Sequence, residues 1–307
     1  MINLERWRES GRYFDFKGHR IFYVDSADQP TAAEAHSPDD APPQIIICLH
    51  GYPTSSWDWH LLWPGLAKRF RVIAVDWLGY GFSDKPVQEY SIGLQADIAE
   101  SLLASLNINS THVLAHDYGD TVAQELLARY EENGRDSGSH VQITSVCFLN
   151  GGLFPETHRA LLTQRIMIGR FGGLFLAIVP DKTLKSRLCS LFGPDTQPSP
   201  QQLDSLWQAI RFNDGNKILH LLLHYIPERI KYRERWVGVL QNTDVPLRLI
   251  DGAQDVVSGL HMAQRYLELV PDPDVVLQDD IGHYPQLEAS ERTLNSYLEF
   301  LSAFSKS

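Results

Sequence analysis

The stretch that most constrains the fold is Thr111–Asp120, which reads T-H-V-L-A-H-D-Y-G-D. The apolar residues before His116 are typical of the end of a buried strand, and apolar residues recur at helical spacing over 121–130. A strand that passes directly into a helix needs a sharp turn. The small residues two positions before and after Asp117 permit one, and small-x-nucleophile-x-small is the pattern of a nucleophile elbow. The alternative is an ordinary helix N-cap, for which aspartate is also favoured.

Apolar runs and helical patterns alternate on both sides of this turn. Runs typical of buried strands occur at 44–49, 71–76, 111–115, 141–149, 245–250 and 275–277, after a hairpin at 11–25 and a solvated loop at 26–43. Helices are predicted around Trp57, Leu61, Leu62 and Leu66, and at 91–106, 260–269 and 290–304. Strictly alternating strands and helices indicate an α/β fold with a mainly parallel sheet flanked by helices.

The alternation stops after Gly152 and resumes near residue 245. Residues 154–240 contain helical patterns and loops but no convincing buried strand. We therefore predict a core domain formed by 1–152 and 241–307, with a helical cap, or lid, inserted at 153–240. A cap in this position would cover the carboxyl ends of the strands, where open α/β sheets bind ligands.

The composition of the chain argues against several classes of function. The net charge of −11 argues against a nucleic-acid partner. No stretch approaches the length of a transmembrane helix, and the N-terminus has no apolar segment typical of a signal peptide. The chain has three cysteines, an odd number, and the simplest explanation is that they are reduced thiols. We therefore expect a cytoplasmic protein, and the absence of a long apolar stretch predicts no integral membrane segment.

Three polar residues follow three separate predicted strands. They are Asp117 on its turn, Asp255 after the strand that ends at Ile250, and His283 after the strand that ends near Leu277. All three strand ends would meet at one edge of the sheet. The order nucleophile, acid, histidine is that of a hydrolytic triad, whereas each residue alone would be an ordinary loop residue.

A fourth segment, His50-Gly51-Tyr52-Pro53, follows the strand at 44–49. In such a site the oxyanion is held by the backbone N–H after the nucleophile and by one from an earlier strand-end loop. Here these would belong to Tyr118 and Tyr52. The alternative for this segment is a tight turn around a buried histidine.

With these motifs, the sequence resembles the α/β-hydrolase superfamily, and within it the branch of epoxide hydrolases and haloalkane dehalogenases. The match is carried by H-G-Y-P at 50–53, A-H-D-Y-G at 115–119, Asp255 and Gly282-His283. Within the branch it is most similar to the mesoderm-specific transcript subgroup, through segments that span nearly the whole chain, such as N-G-G-L-F-P-E-T-H-R at 150–159. The resemblance implies an α/β-hydrolase fold with a helical cap and no metal or other cofactor.

The resemblance also implies a two-step reaction. Asp117 would attack a saturated carbon and form an alkyl ester, and His283, oriented by Asp255, would then activate water to hydrolyse that ester. The expected partners are a small apolar molecule that carries an epoxide or a halide, and water as the co-substrate.

The sequence does not decide which leaving group Asp117 would displace. Epoxide hydrolases protonate the departing oxygen with cap tyrosines, and Tyr225 has the spacing of the second one, although it could be an ordinary core tyrosine. No tyrosine lies between Tyr130 and Tyr225, so the first cap tyrosine has no counterpart. Substitutes and further candidates for substrate binding or acid catalysis are His50, His116, Trp236, His158, His220 and His224.

Two alternatives remain beside the epoxide hydrolase interpretation. A haloalkane dehalogenase usually carries a tryptophan after the nucleophile to hold halide, and Tyr118 has no indole N–H. A non-catalytic ligand-binding or interaction protein of the same fold is the other alternative, but such a protein has no need of all three triad residues.

Overall fold

The computed structural model describes residues 2–29, 43–133, 141–159 and 161–304. Within these ranges, eight strands form one sheet in the order β1-β2-β4-β3-β5-β6-β7-β8. The strands are β1 (Gly11–Phe16), β2 (His19–Asp25), β3 (Ile45–Leu49), β4 (Arg71–Val75), β5 (Ser110–His116), β6 (Gln142–Leu149), β7 (Leu247–Gly252) and β8 (Asp274–Gln278). The pairs β1–β2 and β2–β4 are antiparallel and the other neighbouring pairs are parallel, so the predicted α/β fold with a mainly parallel sheet is confirmed.

The described helices cover the sheet and the region between β6 and β7. They are α1 (Leu4–Glu9), α2 (Trp63–Leu66), α3 (Ile92–Ser105), α4 (Tyr118–Asn133), α5 (Leu162–Ile168), α6 (Gly172–Ile178), α7 (Asp181–Cys189), α8 (Pro200–Arg211), α9 (Leu219–Leu222), α10 (Tyr225–Lys231), α11 (Arg233–Asn242), α12 (Leu260–Leu269), α13 (Pro285–Glu288) and α14 (Ser290–Ser302). No helix in these described ranges is both long and apolar enough to cross a membrane.

The central strands are buried because helices lie on both faces of the sheet. Residues 46–49 of β3 and 72–75 of β4 are fully inaccessible to solvent. This burial explains why both strands have continuous apolar sequences rather than alternating ones. Their carboxyl ends lead into the loops that form the site described below.

The described part of the segment between β6 and β7 contains helices joined by loops and no strand, and α5–α11 are called the cap helices below. α11 continues to Asn242, two residues past the expected boundary at 240. The division into a core domain and a cap unit remains a prediction.

Two local expectations are revised. The helix expected around Trp57–Leu66 is instead a 3-10 turn at Ser56–Trp59 followed by the short α2. Pro64 lacks a backbone N–H, and this favours a new helix start over continuation of a longer helix. Of the expected loop at 26–43, residues 26–28 form a short 3-10 helix and 30–42 lie outside the described ranges.

Candidate active site

Asp117 forms the whole connection between β5 and α4. β5 ends at His116 and α4 begins at Tyr118, so a single residue turns the chain. Its φ of +48° lies in the left-handed region, which is uncommon for a residue other than glycine. Its backbone N–H donates a hydrogen bond to Leu149 O at 3.2 Å, which ties the turn to β6. Strained backbone of this kind occurs preferentially at functional sites.

Gly119 lets α4 approach β3 at this turn. A β-carbon on Gly119 would lie 2.2 Å from the carbonyl oxygen of Leu49, so backbone atoms would have to move. We expect Gly119→Ala to lower the free energy of unfolding by about 3 kcal/mol, at the upper end for overpacking. Urea denaturation measures this difference.

Gly238→Ala in α11 is the matched control, because a β-carbon there would meet no described atom within 4 Å. Alanine is also the better helix former, so the stability of this variant should stay equal or rise slightly. Wild-type stability in Gly119→Ala would contradict the close approach of α4 to β3.

The structure brings the three predicted strand-end residues together. His283 Nδ1 lies 2.7 Å from Asp255 Oδ2, and His283 Nε2 lies 3.9 Å from Asp117 Oδ2. All three side chains are buried. This is the geometry of an acid that orients a histidine toward a third group, with the histidine near but not bonded to Asp117.

Asp255 is held by donors besides the histidine. Its Oδ2 accepts from the hydroxyl of Ser258 at 2.7 Å, and its Oδ1 accepts from the backbone N–H of Val257 at 2.8 Å. Burial alone would raise the pKa of Asp255, but the charge of His283 and these hydrogen bonds outweigh burial and lower it. Asp255 is therefore a carboxylate at neutral pH.

His283 lies in a loop that is fixed on both sides. Glu288 accepts hydrogen bonds at 2.8 Å from the backbone N–H groups of Gly282 and of Tyr284. Burial alone would lower the pKa of His283, but the carboxylates of Asp255 and Asp117 outweigh it and raise the pKa above its usual value. With both carboxylates ionised, the imidazole is therefore protonated at neutral pH.

Two backbone N–H groups flank Asp117. Tyr52 N donates to Asp117 Oδ2 at 3.0 Å. Tyr118 is the first residue of α4, and the first N–H groups of a helix have no intrahelical acceptor. Tyr52 and Tyr118 thus occupy the positions expected for oxyanion donors, and one of them already contacts the carboxylate.

A pocket of about 640 Å³, counted with space open to solvent, reaches Asp117 and His283. Three polar side chains, Thr163, Gln164 and Arg187, also line it. Its other lining residues from the cap segment are apolar and comprise Leu161, Met167, Leu184, Leu188, Leu191, Trp207 and Leu219. The indole N–H of Trp207 is buried and has no hydrogen-bond partner among the described residues. The pocket wall contributed by the cap segment is therefore mainly apolar, with a few polar groups.

Tyr225 lies beside the two residues whose N–H groups flank Asp117. Its ring centroid is 5.0 Å from that of Tyr118 and 6.2 Å from that of Tyr52. Burial raises the pKa of Tyr225 well above its usual value, and the charge of Asp117 raises it further. The phenol thus keeps its proton in the free protein.

Arg229 is a site residue that the sequence analysis missed. Its Nη2 donates to Asp117 O at 3.0 Å and lies 3.7 Å from Asp117 Oδ1, while its Nε donates to Thr121 Oγ1 at 2.7 Å. The guanidinium also stacks over the ring of Tyr225, 4.6 Å from its centroid. Its spacing from Tyr225 is the sequence signal that could have revealed it. Arg229 follows Tyr225 by four positions and therefore shares its helix face.

The two candidate histidines at 50 and 116 lie against the backbone around the site. His50 Nδ1 contacts Gly51 O at 2.8 Å and its Nε2 accepts from Trp77 N at 3.2 Å, so both ring nitrogens are occupied. His116 Nε2 lies 2.8 Å from His283 O. Neither residue is among those that line the pocket, and both hold the loops that carry the site.

Trp236 lies away from Asp117. Its indole N–H donates to Glu125 Oε2 at 2.8 Å, and its carbonyl accepts from Gln124 Nε2 at 3.0 Å. It lines a separate depression that includes Glu228 and Arg235. In this structure Trp236 fastens α11 to α4.

The three histidines suggested as substitutes for the missing cap tyrosine have different surroundings. Both ring nitrogens of His158 lack a hydrogen-bond partner among the described residues, and burial, with Arg229 nearby, lowers its pKa to about 3. His220 packs next to Gly173 of α6, and His224 precedes α10. Within the described ranges, no group of three or more His, Cys, Asp or Glu side chains is placed to hold a metal ion.

Comparison with known proteins identifies the family of this chain and several similar proteins. Residues 44–290 match the family described as alpha/beta hydrolase fold. The mesoderm-specific transcript protein of Mus musculus is 43% identical over 98% of this chain and 88% of its own length. The haloalkane dehalogenase DatA from Agrobacterium tumefaciens C58 superposes with a TM-score of 0.75 at 18% identity, covering 96% of this chain and 97% of its own. The epoxide hydrolase CorEH superposes with a TM-score of 0.72 at 16% identity, covering 96% and 99%. At these identities the two structures establish a shared fold and do not separate the two reactions.

Proposed function

Because this chain belongs to the α/β-hydrolase fold family, we propose that it hydrolyses a small apolar epoxide to a vicinal diol through an alkyl ester on Asp117. The observation that carries the proposal is a carboxylate at the elbow, with Tyr52 N–H on one oxygen and the His283–Asp255 pair 3.9 Å from the same oxygen. A serine at this position would give an acyl-enzyme from an ester. A carboxylate instead attacks a saturated carbon and becomes an ester itself.

In the first step, one Asp117 oxygen forms a bond to an epoxide carbon while the ring C–O bond breaks. Oδ2 is held by Tyr52 N–H, which leaves Oδ1 as the attacking atom. The departing oxygen takes the phenol proton of Tyr225, which regains one from solvent. Arg229, 3.7 Å from Oδ1 and stacked over the ring of Tyr225, places a positive charge beside the attacking carboxylate.

In the second step, His283 removes a proton from water, and the hydroxide attacks the ester carbonyl carbon of Asp117. The negative charge that develops on Oδ2 is held by the N–H groups of Tyr52 and Tyr118. The C–O bond to the alkyl group stays intact and the acyl C–O bond breaks. The departing alkoxide takes the proton of the hydroxyl that was added, which releases the diol and restores the carboxylate. His283 keeps the proton that it took from water, which is its state in the free protein, and loses it to solvent in the next cycle once Asp117 is esterified.

The change in charge between the steps prepares His283 for its role. The Asp117 carboxylate helps to raise the pKa of His283 in the free protein. Esterification removes that negative charge, so the pKa of the imidazole falls and the neutral form becomes accessible. His283 is therefore a base at the stage where a base is needed.

A panel of styrene oxide, cyclohexene oxide, 1,2-epoxyoctane and 1-bromobutane tests the assignment. Diol formation is followed by mass spectrometry and halide release by ion chromatography. We expect diol from at least one epoxide. Halide release without any diol would overturn the epoxide assignment, and inertness toward a wider panel of both classes would favour the non-catalytic alternative.

Tyr225→Phe tests the proposed acid. The change removes one hydroxyl and keeps the ring between Tyr52 and Tyr118, so the fold should be retained. We expect kcat for diol formation to fall by about 10²–10³-fold, the usual contribution of a positioned general acid. Tyr232→Phe, at a cap tyrosine that is 37% exposed, is the matched control and should keep wild-type activity. Equal rates in both variants would remove Tyr225 from the mechanism.

Dehalogenation is the second candidate function, and Trp207 is the observation that favours it. Trp207 lines the same pocket as Asp117, and its indole N–H, which has no partner among the described residues, is a candidate donor to a departing halide. Asp117 would then displace the halide directly, and Tyr225 would have no proton to supply. Undiminished halide release in Tyr225→Phe is the result that this alternative predicts.

A further inference from the structure

Five large apolar side chains of the cap are exposed on its outer side. Phe171, Leu174 and Ile178 are 61%, 62% and 73% exposed, and Leu162 and Ile166 are 71% and 40% exposed. They come from a stretch of only 17 residues, 162–178. Single exposed apolar residues are normal, but clustered ones mark a surface that contacts something. These five residues are called the cap face below.

The cap face follows the geometry of its two helices. Phe171, Leu174 and Ile178 are spaced by three and four positions, so they form one stripe along α6. Leu162 and Ile166 are four positions apart and share one side of α5. Another side of α5, with Thr163, Gln164 and Met167, lines the pocket that reaches Asp117. The α5 part of the cap face thus lies on a helix that also forms part of the pocket wall.

The sequence that contains and flanks the cap face is rich in positively charged residues. Residues 157–190 contain six lysine or arginine residues and one acidic residue, although the whole chain has a net charge of −11. Arg165 and Arg170 are exposed, and the guanidinium of Arg170 lies 4.8 Å from the Phe171 ring centroid. Arg187, also exposed, lines the pocket. A basic, apolar surface in an acidic protein is a local feature that needs its own explanation.

We infer that the cap face docks peripherally on a membrane surface that contains anionic phospholipid. An apolar stripe flanked by arginine and lysine is the pattern of helices that lie in the interfacial plane of a bilayer, with the apolar side chains among the acyl chains. The basic residues meet the negative surface potential of the lipid headgroups. The surface therefore complements an anionic bilayer in both polarity and charge.

A second copy of this chain fits the surface less well. A two-fold interface places the same patch against itself, so the exposed arginines of the two copies would face each other. Like charges brought together at an interface oppose association. A lipid headgroup layer instead offers the opposite charge.

Docking would also shorten the path of an apolar substrate. A molecule dissolved in the bilayer would reach a pocket wall that lies directly beneath the cap face. This consequence rests on the proposed function, whereas docking itself requires only the surface. The two are therefore tested separately, and the docking experiment contains no substrate.

The test is co-sedimentation of the full chain with sucrose-loaded vesicles. One set contains phosphatidylcholine alone, and the other contains phosphatidylcholine with phosphatidylserine at a ratio of about 7:3, an anionic fraction at which surface potential recruits basic segments. We expect binding to the anionic vesicles that weakens with added salt. In the combined variant Phe171→Ser, Leu174→Ser and Ile178→Ser, we expect the partition coefficient to fall at least about tenfold.

The matched control replaces three equally exposed apolar residues elsewhere, Val87→Ser, Ile230→Ser and Leu267→Ser, and should bind as the wild type does. Arg165→Glu with Arg170→Glu should weaken binding to anionic vesicles only. The inference is overturned if the wild type binds neither vesicle set, or if the cap-face variant binds like the control. It is also overturned if sedimentation velocity shows a wild-type dimer that the cap-face variant dissociates, because the surface would then be an interface between copies.

Discussion

Replacing Asp117 with asparagine is expected to lower kcat by at least about 10⁴-fold, the scale on which loss of a nucleophile acts. The carboxamide has almost the same shape, and its oxygen still accepts the hydrogen bond that Tyr52 N donates to Oδ2. It has no negative charge to attack a saturated carbon. The elbow and the fold should therefore persist while the first step fails, as measured by diol formation and by thermal denaturation of the same sample.

Asp120→Asn is the matched control for this variant. Asp120 is also buried and lies three residues further along, and burial raises its pKa well above the usual value. Asp120 has no role in the proposed mechanism and an amide has nearly the same shape, so activity should stay within a few-fold of wild type. Activity above one tenth of wild type in Asp117→Asn would exclude Asp117 as the nucleophile, provided that intact mass shows no conversion of the introduced asparagine back to aspartate.

His283→Gln is expected to stop the reaction after the first step and to accumulate a covalent adduct. Glutamine is polar and can still hydrogen bond to Asp255, but it cannot take a proton from water. The ester on Asp117 should then form and persist, with one equivalent bound per chain and steady-state turnover reduced by at least about 10³-fold. Intact-mass spectrometry detects the adduct directly.

The mass of the adduct also identifies the leaving group. An epoxide keeps its oxygen when the ring opens, so the protein gains the full mass of the epoxide. An alkyl halide loses its halide, so the gain is the mass of the alkyl halide minus that of the hydrogen halide. The double variant Asp117→Asn with His283→Gln should gain nothing, and an adduct in that variant would assign the nucleophile elsewhere.

The sequence predicted the parts of the site that follow from topology. Asp117, Asp255 and His283 follow β5, β7 and β8, and the carboxyl ends of parallel strands meet at one edge of the sheet. A periodicity that distinguishes strand from helix is therefore sufficient to bring these residues together. The turn at Asp117 was only partly predictable, because its small neighbours permit a strand to pass directly into a helix but the local sequence also fitted an ordinary helix N-cap.

Contacts made by the cap could not be predicted in the same way. Arg229 and Trp236 belong to adjoining helices, yet the first reaches Asp117 and the second binds Glu125 on α4, more than 100 positions away. Which helix face turns toward the core depends on packing between segments distant in sequence. The sequence showed that these segments are helical, but it did not show which face of each helix packs against the core.

Arg229 makes closure of the cap and the charge of Asp117 thermodynamically linked. The guanidinium of α10 donates to Asp117 O and lies near its carboxylate, so a negative charge on Asp117 helps to hold α10 over the elbow. By reciprocity, any event that neutralises Asp117 loosens that hold by the same coupling free energy. In the proposed cycle the interaction between Arg229 and Asp117 is weakest in the ester intermediate, which is the stage at which water must enter. It strengthens again only when the diol has been formed and the carboxylate restored.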